Sequence, residues 1–474
     1  MCPIRSMGYG AMKKHFAFFL VSILTACSGA ANVDTETVTS RPSQVAPVTV
    51  STEEETTAAI RPQQFDEVAE SLRGTEIEFW YVWNRSGADP FQEIIGEFNR
   101  SNDYDITVTA LDQKDFGDFF GEMNTAIESG ELPEVVLGYN YQYLAWDAAG
   151  DAVVDLTPYT YDATFGLSEE TIADFYPVFW EHDLIGEQRL GFPAQPSGQV
   201  IFYNQTWAQE LGFYTLPSTP EQFRQQACAA AEANGDGTGG WFINTSGASV
   251  AGWVYAFDAE LETPEGGYDF NTPETFAAFE FLHDLKATGC AWEPKTRYPN
   301  GEFAARKGLF YTSSILSIPF IRDAFQIEGN NDVWIPIPFP GLGGPSITIY
   351  GPSYVIIQSS PEAQLAGWLL IKFLLEPENQ VALVQVGGSF PLSRSAVILL
   401  EEAAWESPQW FVAAEMLDHA RSEPRYQSWS TVRAALQDAA SMIFKGNFDV
   451  ATIFELLEQL QSTAEELHAE GGGN

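Results

Sequence analysis

Positive charge is what this sequence has least of. Lys and Arg number 23 against 65 Asp and Glu, a formal net charge of −42 over 474 residues. Nucleic-acid phosphates need a basic footprint, so that partner is excluded. Docking on anionic lipid through a basic patch is disfavoured for the same reason. Cysteine is nearly as scarce, with four in all, and no CxxC exists. The five His stand apart at 15, 182, 283, 419 and 468, without HExxH, so no zinc site is expected. GxSxG and the P-loop are also missing. No run of about 20 apolar residues occurs, so no spanning helix is expected. Material for cores is plentiful: 45% of residues are hydrophobic and 14% aromatic. That argues against wholesale disorder and fits about two to four domains.

Residues 12–27, MKKHFAFFLVSILTAC, place Lys13 and Lys14 before a short apolar run, Phe16 to Leu24. This is signal-peptide order, and Met12 is the expected start. The ending Leu24-Thr25-Ala26-Cys27 resembles a bacterial lipobox, in which the cysteine becomes the lipid-bearing first residue. Residues 1–26 are therefore expected as signal peptide and 27–72 as a disordered tether rich in Thr, Ser, Pro, Ala and Glu. Only Cys228 and Cys290 remain in the body. They are either a disulfide or two buried thiols, and an exported chain favours the bond.

From Arg73 onward strands and helices alternate. TEIEFWYVW (75–83), YDITVTA (104–110) and EVVLGY (134–139) read as strands; 90–100 and 115–129 read as helices. Such alternation implies a parallel sheet of right-handed βαβ units. Further on, 221–234, 273–287, 361–375 and 377–386 read as helices, 308–313 as a strand and 347–358 as one strand. Gly235, Gly237 and Gly240 satisfy GxGxxG, but a helix precedes them and Trp-Phe-Ile follows, the wrong context for a dinucleotide. The same stretch partly matches a calcium loop, yet its twelfth position would be Ile243 and not Glu. A glycine-rich turn is the plainer reading. No cofactor is implied.

Loops after the expected strands mix aromatic rings with amides and hydroxyls: Trp83 and Asn84; Tyr139, Asn140 and Gln142; Ser246 and Trp253; Thr312, Ser313 and Ser314. Gln195, Ser197 and Gln199 lie on one extended connection, Tyr350 and Gly351 on another, and Trp429 and Arg433 on a late helix. Rings stack on the C–H faces of sugars, and amides and hydroxyls match their hydroxyl rims. Each Trp is equally open to core packing, Ser313 and Ser314 to helix capping, and Gly351 to turn geometry before Pro352.

The order of several segments carries a resemblance: LRGTEIEFWYVWN (72–84), LPEVVLGYNYQYLAWDAAGDAVVDLTPY (132–159), LGFPAQPSGQVIFYNQTWAQELGF (190–213), GLFYTSS (308–314), IYGPSYVII (349–357), GWLLIKFLLEPENQ (367–380), GGSFPLSRSA (387–396) and RYQSWSTVRAAL (425–436). In this order the chain resembles the solute-binding proteins of bacterial ABC importers, in their carbohydrate-binding branch. The resemblance implies an α/β, two-lobe, type II periplasmic-binding-protein-like fold with hinge-crossing segments and a ligand cleft between the lobes. It implies lobe one at 73–193 and 351–398, lobe two at 194–350 and 399–467, and a tail at 468–474. It implies ligand contacts at Trp83, Asn84, Tyr139, Asn140, Ser197, Ser313, Ser314, Gly351 and Trp429, a permease partner, a monomer and no catalysis. Trp429 stands where a glycerol-phosphate binder would offer Arg, with Arg433 one helical turn on. A neutral mono- to oligosaccharide is therefore expected, with glycerol 3-phosphate as the alternative. A surface-anchored glycoside hydrolase is the enzymatic rival; it needs two facing carboxylates. A sensor feeding a signalling partner is not separable from a transporter by sequence.

Overall fold

A computed structural model describes residues 65–83, 89–403 and 406–471, all within one compact unit, 58–474. Its strands in chain order are β1 (Glu76–Tyr81), β2 (Thr107–Asp112), β3 (Val135–Gly138), β4 (Leu184–Ile185), β5 (Gln188–Arg189), β6 (Phe192–Pro193), β7 (Ser197–Asn204), β8 (Gly239–Phe242), β9 (Ala291–Trp292), β10 (Gly308–Ser314), β11 (Trp334–Ile337), β12 (Ile347–Tyr350), β13 (Ser353–Ile356) and β14 (Ala420–Ser422). One sheet runs β2-β1-β3-β13-β6, with β1 parallel to β2 and β3, and β13 antiparallel to β3 and β6. The other runs β14-β12-β7-β10-β8-β9, with β11 also on β7. Strands β4 and β5 form a small hairpin.

Local signals explain the helices. Helix Pro90–Ser101 starts on Asp89, whose carboxylate accepts from the Phe91 amide, and buries Phe91, Ile94, Ile95 and Phe98 on one face. Thr219, Thr272 and Ser360 cap helices Pro220–Asn234, Pro273–Ala287 and Pro361–Leu374 in the same way. Each has proline in its first turn, where a missing N–H loses no intrahelical bond. An apolar cluster spans both sheets, joining Phe79, Val135 and Tyr354 to Phe202, Tyr311 and Trp334. A second fills the outer face of the larger sheet around Trp241, Trp253 and Phe310.

Three expectations are corrected. The tether was expected to reach residue 72, but Phe65–Ser71 is a helix. Phe65 anchors it, buried with its ring 4.8 Å from that of Tyr159. The single strand expected at 347–358 is two strands in different sheets, broken at Gly351-Pro352. Proline removes a ladder donor there. A Cβ on Gly351 would lie 2.8 Å from the Gln195 carbonyl oxygen, so only glycine lets the two crossing segments pack this closely. Finally, the lobe boundary expected at 398/399 falls inside helix Arg394–Glu402, and the last helix continues past 467 to Glu470.

The chain passes between sheets from β6 to β7 and again from β12 to β13. Residues 235–240, where a cofactor fingerprint was considered, are the turn from helix Pro220–Asn234 into β8, with Gly235, Gly237 and Gly239 at positive φ. Cys228 and Cys290 are joined by a disulfide.

Candidate functional site: a cleft at the strand ends of the larger sheet

Strands β8 and β10 run parallel, and the loops at their carboxyl ends open on one side of the larger sheet. There a cleft of about 720 Å³ is lined by Ser246, Ser313, Ser314, Tyr350 and Arg433, together with Gln199, Asn244, Tyr298, Tyr311 and Gln437. That volume suits a small-molecule site. Crevices at strand carboxyl ends are where open α/β sheets take ligands.

The floor is a connected set of hydrogen bonds. Tyr350 Oη donates to Gln199 Oε1 at 3.2 Å, and Gln199 Nε2 donates to Ser249 Oγ at 2.7 Å. Ser249 and Ser246 share a bond of 2.9 Å. Asn244 Nδ2 donates to the Thr312 carbonyl at 2.9 Å and its Oδ1 accepts from the Ser246 amide, which fixes the loop after β8. Ser197 lies one bond behind the lining, 2.7 Å from Ser314 Oγ.

Arg433 is held from two directions. Its Nε donates to both oxygens of Glu423, at 2.9 and 3.0 Å, and Trp429 Nε1 donates to Glu423 Oε2 at 2.8 Å. Its stem lies on the start of helix Gly247–Ala256, where a Cβ on Gly247 would be 2.4 Å from Arg433 Cγ. Burial works to lower the Arg433 pKa, but Glu423 outweighs it and the guanidinium stays charged. Tyr139 and Tyr141, from the smaller-sheet side, stack at 5.6 Å. Burial pushes the Tyr139 hydroxyl up, reinforced by Tyr141, Tyr350 and Glu423 and opposed by Arg433. Asn140 Nδ2 bridges to the Pro424 carbonyl at 3.2 Å, next to Glu423. So Tyr139, Asn140 and Tyr141 meet the Glu423–Arg433 pair across the gap between sheets.

Besides Tyr139, Asn140 and Ser197, four more of the expected contacts are not in the lining. Trp253 is fully buried among Phe223, Trp241 and Phe339, a core residue. Trp429 is buried too, stacked on Tyr268, and serves to hold Glu423. Gly351 is the packing point of the crossings. Trp83 packs edge-on against Phe91 and donates its amide to Asp112. Asn84 and Cys27 lie outside the described residues. Missed by sequence reading were Glu423, Tyr141, Tyr311 and the loop carrying Lys295, Arg297 and Tyr298. The last had a signal: Lys-Thr-Arg-Tyr is a basic run in an acidic chain.

Helix Asn140–Gly150, which follows Tyr139, is tied to the second crossing by a buried carboxylate. Asp183 Oδ1 accepts from Tyr143 Oη and Ser353 Oγ, both at 2.8 Å, and lies 2.9 Å from His182 Nδ1. Burial alone would raise the Asp183 pKa, but His182 and the hydroxyl donors outweigh it and hold it below the ordinary value. A carboxyl depressed on folding stabilises above its unfolded pKa of about 3.9, and that share is lost as pH falls through the lower native value. Asp183→Asn is expected to lower stability by about 1–3 kcal/mol at pH 7. It should also flatten the acid limb, so that the gap between the two proteins closes as pH falls through the native Asp183 pKa. Urea melts at pH 7 and through the acid range decide this; a gap independent of pH would show that the charge is irrelevant.

Two sheets linked by crossing segments, with a polar and aromatic cleft at the strand ends of the larger one, define a two-lobe solute-binding architecture. Residues 93–412 match the family model of the bacterial extracellular solute-binding proteins, and the chain belongs to that family. Its fold is the type II periplasmic-binding-protein-like one. The sugar-binding protein MalE from Xanthomonas citri superposes with a TM-score of 0.73 at 20% identity, covering 84% of this chain and 98% of that one. The cyclic alpha-maltosyl-1,6-maltose binding protein from Arthrobacter globiformis gives 0.71 at 18%, covering 82% and 98%. UgpB from Mycobacterium tuberculosis, in complex with glycerophosphocholine, gives 0.67 at 19%, covering 83% and 98%. None of the curated proteins matches the chain.

Proposed function

We propose that the protein captures a sugar, from mono- to oligosaccharide, between its two lobes and delivers it to an ABC permease. The observation that carries this is the lining: tyrosines beside amides and hydroxyls, with Glu293 the lone carboxylate among the described lining residues. Such a surface suits stacking and hydroxyl recognition. A glycoside hydrolase would need a second facing carboxylate. The sugar named for MalE of Xanthomonas citri and for the Arthrobacter globiformis protein adds support. Closure about the crossing segments, shifting population from open to closed, is the state the permease would read. Lipid on Cys27, followed by the Thr- and Ser-rich stretch, would keep the body near the membrane surface. Among the described residues no helix is long and apolar enough to cross a membrane.

Thermal unfolding against a panel of mono-, di- and oligosaccharides, with glycerol 3-phosphate alongside, tests the reading. A sugar at 100 times its dissociation constant is expected to add about 2.7 kcal/mol of stability and to be recovered intact. Cleaved sugar would install the hydrolase, and a response to glycerol 3-phosphate alone would replace the sugar.

A further inference from the structure

Charge around the cleft runs against that of the chain. Over the sequence Asp and Glu outnumber Lys and Arg by 65 to 23. Around the cleft the balance inverts: Lys295, Arg297 and Arg433 line it against Glu293. Two arginines elsewhere are matched with acids, while Arg189 and Arg425 donate to backbone carbonyls. Arg306 sits between Glu210 and Asp332, and Arg421 in a neighbouring depression pairs with Glu260. Lys295 and Arg297 are exposed on the rim and pair with no carboxylate among the described residues. Arg433 gives its Nε to Glu423, while its two terminal nitrogens make no hydrogen bond among the described residues. The guanidinium is thus oriented by one edge and open on the other.

A neutral solute needs no such inversion. A concave site lined by one sign of charge focuses its field on ions of the other. The open edge of a guanidinium fits the paired oxygens of a carboxylate or phosphate. The expectation of a neutral sugar rested on Trp429, which is buried and out of the lining. Resting on the sugar reading above, we propose that the solute is an acidic sugar. Its anionic group, carboxylate or phosphate, is held by the terminal nitrogens of Arg433 on the floor and by Lys295 and Arg297 at the rim.

Calorimetry on the purified protein tests this with three sets of sugars. The first is galacturonate and glucuronate di- and trisaccharides, the second the same compounds with carboxyls reduced to neutral alcohols, the third hexose 6-phosphates. An acidic member is expected to bind at least about tenfold tighter than its neutral counterpart. In the K295A/R297A double variant, at exposed positions, that preference should shrink. Preference for uronates assigns the group as carboxylate, and preference for hexose phosphates as phosphate. A neutral sugar bound as tightly as its acidic counterpart overturns this inference and leaves the sugar reading standing. Binding of none of the three sets overturns this inference, and the wider sugar panel above then decides the sugar reading.

Discussion

Breaking the Cys228–Cys290 bond, by reduction or by the C228S/C290S double variant, is expected to lower unfolding stability by about 2–4 kcal/mol. The bond closes 62 residues. In the chain-entropy account a loop of that length removes about 4 kcal/mol of freedom from the unfolded chain, an upper bound where the unfolded state keeps structure. The native geometry around it is already crowded. Cys290 is buried, its carbonyl accepts from the Trp241 amide at 3.0 Å, and a Cβ on Gly240 would sit 1.8 Å from that same oxygen. The bond therefore locks helix Pro220–Asn234 onto the starts of β8 and β9. The closed loop also contains Asn244 and Ser246, so a loosened loop should weaken solute binding as well as stability. Denaturant melts with and without reductant measure the first effect, calorimetry the second. Coincident melts would show that packing alone holds this layer.

Much of this layer is legible in the sequence. Helix 273–287 is expected and found at the same residues because Thr272, Pro273 and a periodic apolar face agree. The parallel core of the smaller sheet follows from strands separated by amphipathic helices. What sequence does not carry is the choice between two uses of one residue type. Trp253 lies in the helix that follows β8 and Trp429 at a helix start beside Ser428 and Ser430, as ligand-stacking rings would, yet both are buried. A tryptophan buries a large apolar area wherever it sits, so its identity does not separate core from cleft. Pairings across the fold are equally hidden. Glu423 is one of 65 carboxylates, and only the turn before helix Trp429–Ile443 brings it to Arg433. Gly351-Pro352 was legible as a break in principle, but β-branched and aromatic residues on both sides read as one continuous strand.

The Glu423–Arg433 pair sets the second large expectation: Arg433→Ala should weaken solute binding at least about a hundredfold, as loss of charge-assisted hydrogen bonds in a half-buried site does. It should also lower stability by about 1–3 kcal/mol, since Glu423 would stay buried with its strongest partner gone. Arg433→Lys separates the two effects. A lysine keeps the charge that offsets Glu423 but lacks the planar fork, so stability should recover more than affinity. Glu423→Gln approaches from the other side: it still accepts from Trp429 Nε1 and Arg433 Nε, and frees a full positive charge in the cleft. For an acidic solute that change should tighten binding or leave it unchanged; for a neutral one it should weaken it, because an uncompensated buried charge then favours the open, hydrated cleft. Titration of the three variants against one bound sugar, with melts of each, therefore reads the role of the pair and the charge of the solute together. An Arg433→Ala protein that binds as well as the unaltered one would remove Arg433 from the site and move recognition to the lining tyrosines, Tyr298, Tyr311 and Tyr350.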